Sequence, residues 1–171
     1  MKKVFFLIIN LLLVMNLAGQ VDQRRKSRLL NFMMNKNVNI YNSWGKEKIV
    51  ANIKDDSITE NYHCFDVISK KDSMINVIVL STMNPNKQVK GWVGITNTGI
   101  YIRPRNATYV IYKKPNYKSE CIRIKLYGSY LVKVLEINDL WLKVEVRYKN
   151  KLYKYWLPYE YQCDDVFDSC T

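Results

Sequence analysis

Apolar and polar residues alternate singly through much of this chain. The pattern is plainest in Ile122-Arg123-Ile124-Lys125, Val132-Lys133-Val134 and Leu142-Lys143-Val144-Glu145-Val146-Arg147. A period of two sends successive side chains to opposite faces of a strand, one face inward and one in water. Breakers separate the runs at Asn84-Pro85-Asn86, Asn97-Thr98-Gly99, Arg103-Pro104-Arg105-Asn106 and Lys114-Pro115-Asn116. Short strands at regular spacing with turns between them predict an all-β protein built of small barrels.

The pattern also repeats. Residues 38–56 align without a gap on 109–127, so that Ile40-Tyr41 falls on Ile111-Tyr112 and Ile53-Lys54 on Ile124-Lys125. The register then shifts, and Val67, Asp72 and Val77 fall on Val134, Asp139 and Val144. Trp92-Val93 finally falls on Trp156-Leu157. A period of roughly 65–70 residues is too long for a solenoid and suits a tandem of small domains.

The first residues read differently. Lys2 and Lys3 precede an apolar run from Val4 to Met15, and Leu17-Ala18-Gly19 offers small residues for cleavage before Gln20. This is the pattern of a secretory signal peptide over residues 1–19. The run is too short, and too interrupted by Asn10 and Asn16, to span a bilayer. No other long apolar segment follows, so no transmembrane segment is expected, and the location implied is periplasmic or secreted. Residues 20–37 form a basic arm in which Arg24, Arg25, Lys26 and Arg28 precede Leu29-Leu30-Asn31-Phe32. A helix there would be weak, because cations at its N-terminus oppose the macrodipole. An arm ordered by packing is the expectation.

In the second repeat, Tyr109-Val110-Ile111-Tyr112 leads into Lys113-Lys114-Pro115. Then come Leu126-Tyr127-Gly128, Val132-Lys133-Val134, Trp141-Leu142-Lys143-Val144 and Tyr155-Trp156-Leu157. The series resembles the bacterial SH3-like (SH3b) domain. That family runs from a strand and a proline-containing loop through a Leu-x-x-Gly turn, Val-x-Val and Trp-x-Lys-Val to Gly-Trp-Val. Leu126 to Gly128 is one residue tighter than the family's turn. The first repeat has Met74-Ile75-Asn76-Val77 at the Trp-x-Lys-Val position but keeps Gly91-Trp92-Val93. The resemblance implies two tandem SH3-like barrels, residues 38–104 and 105–161, with the boundary at Pro104–Asn106 and a tail over 162–171. Such domains usually target an enzyme to cell-wall peptides or glycans.

Charge narrows the partners. The chain carries 27 Lys+Arg against 15 Asp+Glu, a net charge of +12, and loses only Lys2 and Lys3 with the leader. An excess of this size favours anionic partners such as acidic envelope proteins or phosphate-bearing wall polymers. Nucleic acid is not expected, since an exported protein rarely meets it and the lysines alternate with apolar residues instead of clustering.

Four cysteines, Cys64, Cys121, Cys163 and Cys170, allow three connectivities. In an oxidising compartment pairing is the default. Cys163 and Cys170 are close in sequence and are expected to close the tail. A Cys64–Cys121 bridge would then staple one barrel to the other.

Catalytic chemistry is not expected. The single histidine, His63, adjoins Cys64, and neighbours on a strand point to opposite faces, which rules out a Cys–His dyad between them. Asp164, Asp165 and Asp168 read as an acidic loop and not as a metal site. No cofactor, metal or catalytic residue is assigned. Aromatic content is the better pointer, with thirteen tyrosines and four tryptophans. Such side chains combine contact area with a polar end and recur in peptide and sugar grooves. Trp141 and Trp156 read as structural. Tyr112, Tyr117 and Tyr159 flank loops, and with Lys113 and Lys114 they make the expected ligand surface, on the second barrel. The function expected is a non-catalytic binding module for a cell-envelope peptide, glycan or protein. The alternative is a periplasmic inhibitor or immunity-type protein that blocks a toxin or hydrolase.

Overall fold

The computed structural model describes residues 28–103, 107–126 and 128–165. The expected leader, the arm as far as Ser27, the breaker at Pro104–Asn106 and the tail from Val166 through Cys170 lie outside the described residues.

The strands follow the alternation. In the first half they are β1 (Arg28–Asn31), β2 (Val38–Tyr41), β3 (Ile49–Ile53), β4 (His63–Lys71), β5 (Met74–Ser81) and β6 (Val89–Gly94). A single 3-10 turn, η1 (Ile95–Asn97), leads into β7 (Thr98–Ile102). The second half has β8 (Thr108–Tyr112), β9 (Cys121–Lys125), β10 (Tyr130–Asn138), β11 (Trp141–Tyr148) and β12 (Lys151–Leu157). It ends in η2 (Tyr159–Tyr161) and β13 (Gln162–Cys163). All pairings are antiparallel, and the strands belong to one continuous sheet. The protein is all-β. In β11 the side chains of Leu142, Val144 and Val146 are buried while the residues between them are half-buried, as the alternation requires.

One pairing scheme occurs twice. β2 pairs with β3 and β6, and β5 pairs with β4 and β6. Likewise β8 pairs with β9 and β12, and β11 pairs with β10 and β12. The correspondence extends to single residues. Tyr41 lies opposite Trp92, as Tyr112 lies opposite Trp156. Val67 lies opposite Val77, as Val134 lies opposite Val144, and in both halves a bulge follows that pair. A bulge adds one unpaired residue and bends its strand. The tight turns after β4 and β10 both open on an aspartate with positive φ, 52° at Asp72 and 55° at Asp139. Aspartate tolerates this left-handed region better than most residues.

The halves are joined through a strand and not through a staple. β1 pairs with β4 and β7, and β7 in turn pairs with β10 and β13. β7 therefore closes the first repeat and opens the second. Leu29 of β1 faces Phe65 as Ile100 of β7 faces Val132. The middle of the basic arm, Arg28–Asn31, is thus a strand of the sheet, tied to β4 by Arg28, whose Nε donates to Asp66 Oδ1 at 2.6 Å. Lys70 Nζ of β4 also donates to the Ile137 carbonyl of β10, across the two halves. One cluster of buried side chains runs through both repeats, with Ile40, Phe65, Val77 and Val93 from the first and Tyr109, Ile111, Val144 and Leu157 from the second.

The expected Cys64–Cys121 staple is absent, and both thiols are free. Cys64 is buried in β4 opposite Leu80 and Leu30. Cys121 is exposed on β9, at the far end of the sheet, with β1, β7, β10, β11, β12 and β8 between them. Burial pushes the Cys64 thiol pKa up, against the opposing charge of Arg28, and so keeps it unreactive. Cys163 is buried in β13. Its expected partner, Cys170, lies outside the described residues.

Candidate functional site

The expected surface of the second repeat assembles around the loop between β8 and β9. Tyr112 ends β8 and is half-buried, while Tyr117 leaves the loop 60 % exposed. Their rings meet edge to face with centroids 5.6 Å apart. Trp141, at the start of β11, completes the cluster at 5.5 Å from Tyr112 and 4.7 Å from Tyr117. Tyr117 Oη donates to Glu160 Oε2 at 2.9 Å, which ties the loop to η2. Partial burial against its aromatic neighbours, and then this bond to a carboxylate, push the Tyr117 phenol up to about 12. Burial also raises the Tyr112 phenol. Tyr159 is exposed on η2 beside Glu160.

The two lysines sit differently. Lys113 Nζ lies 3.0 Å from Glu120 Oε2, and that hydrogen bond raises the ammonium pKa. Lys114 anchors the loop through its backbone, the amide donating to Ser119 Oγ at 3.0 Å. Tyr112 and Tyr117 are therefore brought together, Lys113 is committed to a neighbouring carboxylate, and Trp141 and Glu160 join a site in which the sequence reading did not place them. Trp141 could have been found from its position: it follows the turn aspartate by two residues, which puts it across from the β8–β9 loop.

The same place in the first repeat is open. A cavity of about 280 Å³ lies between the β2–β3 loop, the β4–β5 turn and η1, lined among others by Asn39, Tyr41, Lys46, Met74, Thr96 and Asn97. It approaches the lower end of small-molecule sites, which run roughly 300–1,000 Å³. Its lining is mostly carboxamide, hydroxyl and phenol, with the Met74 thioether and the Lys46 ammonium. Asn52 Nδ2 donates to Asn39 Oδ1 at 2.6 Å and fixes that amide, while the Ile95 amide donates to Ser73 O at 3.0 Å and holds η1 against the turn. Lys46 enters from a backbone with φ 61°, a conformation that aims the loop tip.

A second polar cluster lies beneath β1. His63 Nδ1 is 2.9 Å from Asp55 Oδ1, and the His63 backbone amide donates to the same oxygen at 3.0 Å. Both residues line a small cavity of about 20 Å³ with Asn31, whose buried Nδ2 has no partner. A space of that size holds one water molecule, which needs about 10–15 Å³. Among the described residues no group of three or more His, Cys, Asp or Glu side chains is placed to hold a metal ion.

Comparisons with protein-family models, with curated proteins and with solved structures return no match.

Proposed function

We propose that the chain is an exported, non-catalytic binding module in which each repeat is an SH3-like barrel, the two sharing β7, and that it recognises a cell-wall peptide or glycan through the groove of the first repeat. The repeated pairing scheme supports the tandem reading, and the leader sequence supports export. The observation that carries the binding reading is the polar cavity at Asn39, Tyr41, Thr96 and Asn97. Amides and hydroxyls match the amide and hydroxyl groups of wall polymers. The Tyr41 ring offers an apolar face, and Lys46 would attract a carboxylate or phosphate on the ligand. The expected surface on the second repeat is largely engaged with its own side chains, so the first repeat is the better candidate.

The test is co-sedimentation of the mature protein with purified insoluble peptidoglycan. Thr96→Trp, which fills the cavity from η1, should reduce the pelleted fraction at least tenfold while leaving the melting temperature near wild type. Unchanged retention by that variant would remove the first groove from consideration. Retention of a single acidic envelope protein in place of the wall would instead favour the inhibitor or immunity-type reading.

A further inference from the structure

The two grooves occupy one place in the repeat and differ in what fills it. Tyr41 and Tyr112 correspond, and so do Lys46 and Tyr117 in the ungapped alignment. Met74 and Trp141 both follow the turn aspartate by two residues, and Thr96 and Glu160 are the middle residues of η1 and η2. In the first repeat these four positions line an open cavity. In the second they touch one another. Tyr117 leaves the β8–β9 loop, lies against Trp141 with centroids 4.7 Å apart, and ends on Glu160 at 2.9 Å. Its ring thus spans from one lip of the groove to the other.

We propose that Tyr117 is a strap that closes the groove of the second repeat, held by Trp141 and Glu160, so that ligand enters the first repeat alone. The claim about ligand entry rests on the first groove being the binding site; the closure itself does not. An occupant of the second groove would have to break the ring contacts and a charge-assisted hydrogen bond together, and such bonds are the stronger class. In the first repeat Lys46 provides no ring to bridge the lips, and Thr96 provides no carboxylate to receive one. The exchange of these residues is what makes two copies of one barrel unequal.

The experiment transplants the first repeat's residues into the second, as Tyr117→Lys with Glu160→Thr. Two quantities are read on the full mature protein. The first is the access of a paramagnetic solvent probe to the Trp141 indole N–H resonance, assigned with Trp141→Phe. The second is the calorimetric stoichiometry for soluble muropeptides from digested peptidoglycan. Opening the strap should at least double the relaxation of the Trp141 signal and raise the stoichiometry from one to two. The reverse graft, Lys46→Tyr with Thr96→Glu, should lower it to zero. An unchanged Trp141 signal in a folded variant would overturn the strap, as would two sites in the wild type. A fall to zero on opening would also overturn it and make the aromatic cluster itself the docking face. If the wild type binds no muropeptide but Trp141 becomes accessible, the strap stands and the ligand proposed for the first groove falls. Should the double variant not fold, Tyr117→Phe removes only the bond to Glu160, and a smaller rise at Trp141 is expected; no rise there overturns the strap as well.

Discussion

Gly99 shows how a single residue permits two repeats to share a strand. It sits in β7 between β1 on one edge and β10 on the other. A Cβ at this position would lie 2.9 Å from the Val132 carbonyl oxygen and 3.0 Å from Leu131 Cδ1 and Phe32 Cδ2. A backbone oxygen cannot give way as a flexible side chain can. Gly99→Ala should therefore cost about 1–3 kcal/mol, the usual cost of overpacking. Urea unfolding should show this as a lower midpoint with an unchanged slope. Tyr117 makes a second residue-scale prediction. Its phenol is pushed to about 12, so the fold favours the protonated form over an unfolded chain with a pKa near 10. The contribution is present below about pH 10 and is lost as pH rises through about 12. Ultraviolet titration of tyrosinate should find that, among the late-titrating groups, which include the buried Tyr109 and the raised Tyr112, the one lost in Tyr117→Phe moves earlier in Glu160→Gln. The importance of Gly99 was not legible in the sequence, because Asn97-Thr98-Gly99 reads as a turn. Its cause is an approach between strands distant along the chain.

At the scale of elements, alternation located most strands, because a half-buried strand in water must alternate wherever it lies. The internal alignment gave the pairings Tyr41–Trp92 and Tyr112–Trp156 their common register before any contact was visible. Turns were harder to place. The hairpin between β11 and β12 turns on Lys149 and Asn150, both with positive φ, 47° and 62°. Two such residues define a turn that normally takes Asn-Gly. Lysine in the left-handed region costs roughly 1 kcal/mol. Lys149→Asn with Asn150→Gly should raise the melting temperature by a few degrees without altering either groove, which differential scanning calorimetry can measure. No local signal announced this turn, because neither Lys nor Asn is a breaker strong enough to be noticed beside Lys151. Arg28–Asn31 was equally obscure. Four residues after a basic run carry too little pattern to be told from an arm, and their strand character comes from pairing with β4 and β7.

Over the whole molecule, the shared strand predicts one cooperative unit. β7 contributes Ile100 and Ile102 to the common core and pairs with β1, which carries the sheet on to β4 of the first repeat, and with β10 of the second. The first repeat cannot lose β7 without opening the second. Fluorescence from Trp92 in the first half and Trp156 in the second, each followed with the other three tryptophans (Trp44, Trp141 and the remaining one of the pair) replaced by Phe, should give coincident thermal transitions. Two separated transitions would show that each repeat folds alone. Net charge also acts at this scale. With 25 Lys+Arg (27 less Lys2 and Lys3) against 15 Asp+Glu once the expected leader is removed, association with an anionic wall polymer should slow as salt rises, since exposed charges beyond about 8–10 Å are screened at 0.1–0.15 M.

The sequence by itself determined the all-β class and the internal duplication, since both follow from local periodicity and self-similarity, which need no knowledge of distant contacts. It also identified Tyr112 and Tyr117 as neighbours of one loop. Only the tertiary structure decided that β7 serves both repeats, that Cys64 and Cys121 stand far apart as free thiols, and that Trp141 and Glu160 complete the aromatic cluster. Those facts depend on which strands lie side by side, and pairing is chosen by burial over the whole core. The difference between the open groove and the strapped one belongs to both levels. The exchange of Lys46 for Tyr117 is written in the alignment and that of Thr96 for Glu160 comes from the matching 3-10 turns, but both acquire meaning only when the loop and the 3-10 turn, more than forty residues apart in the chain, are brought within a hydrogen bond of each other.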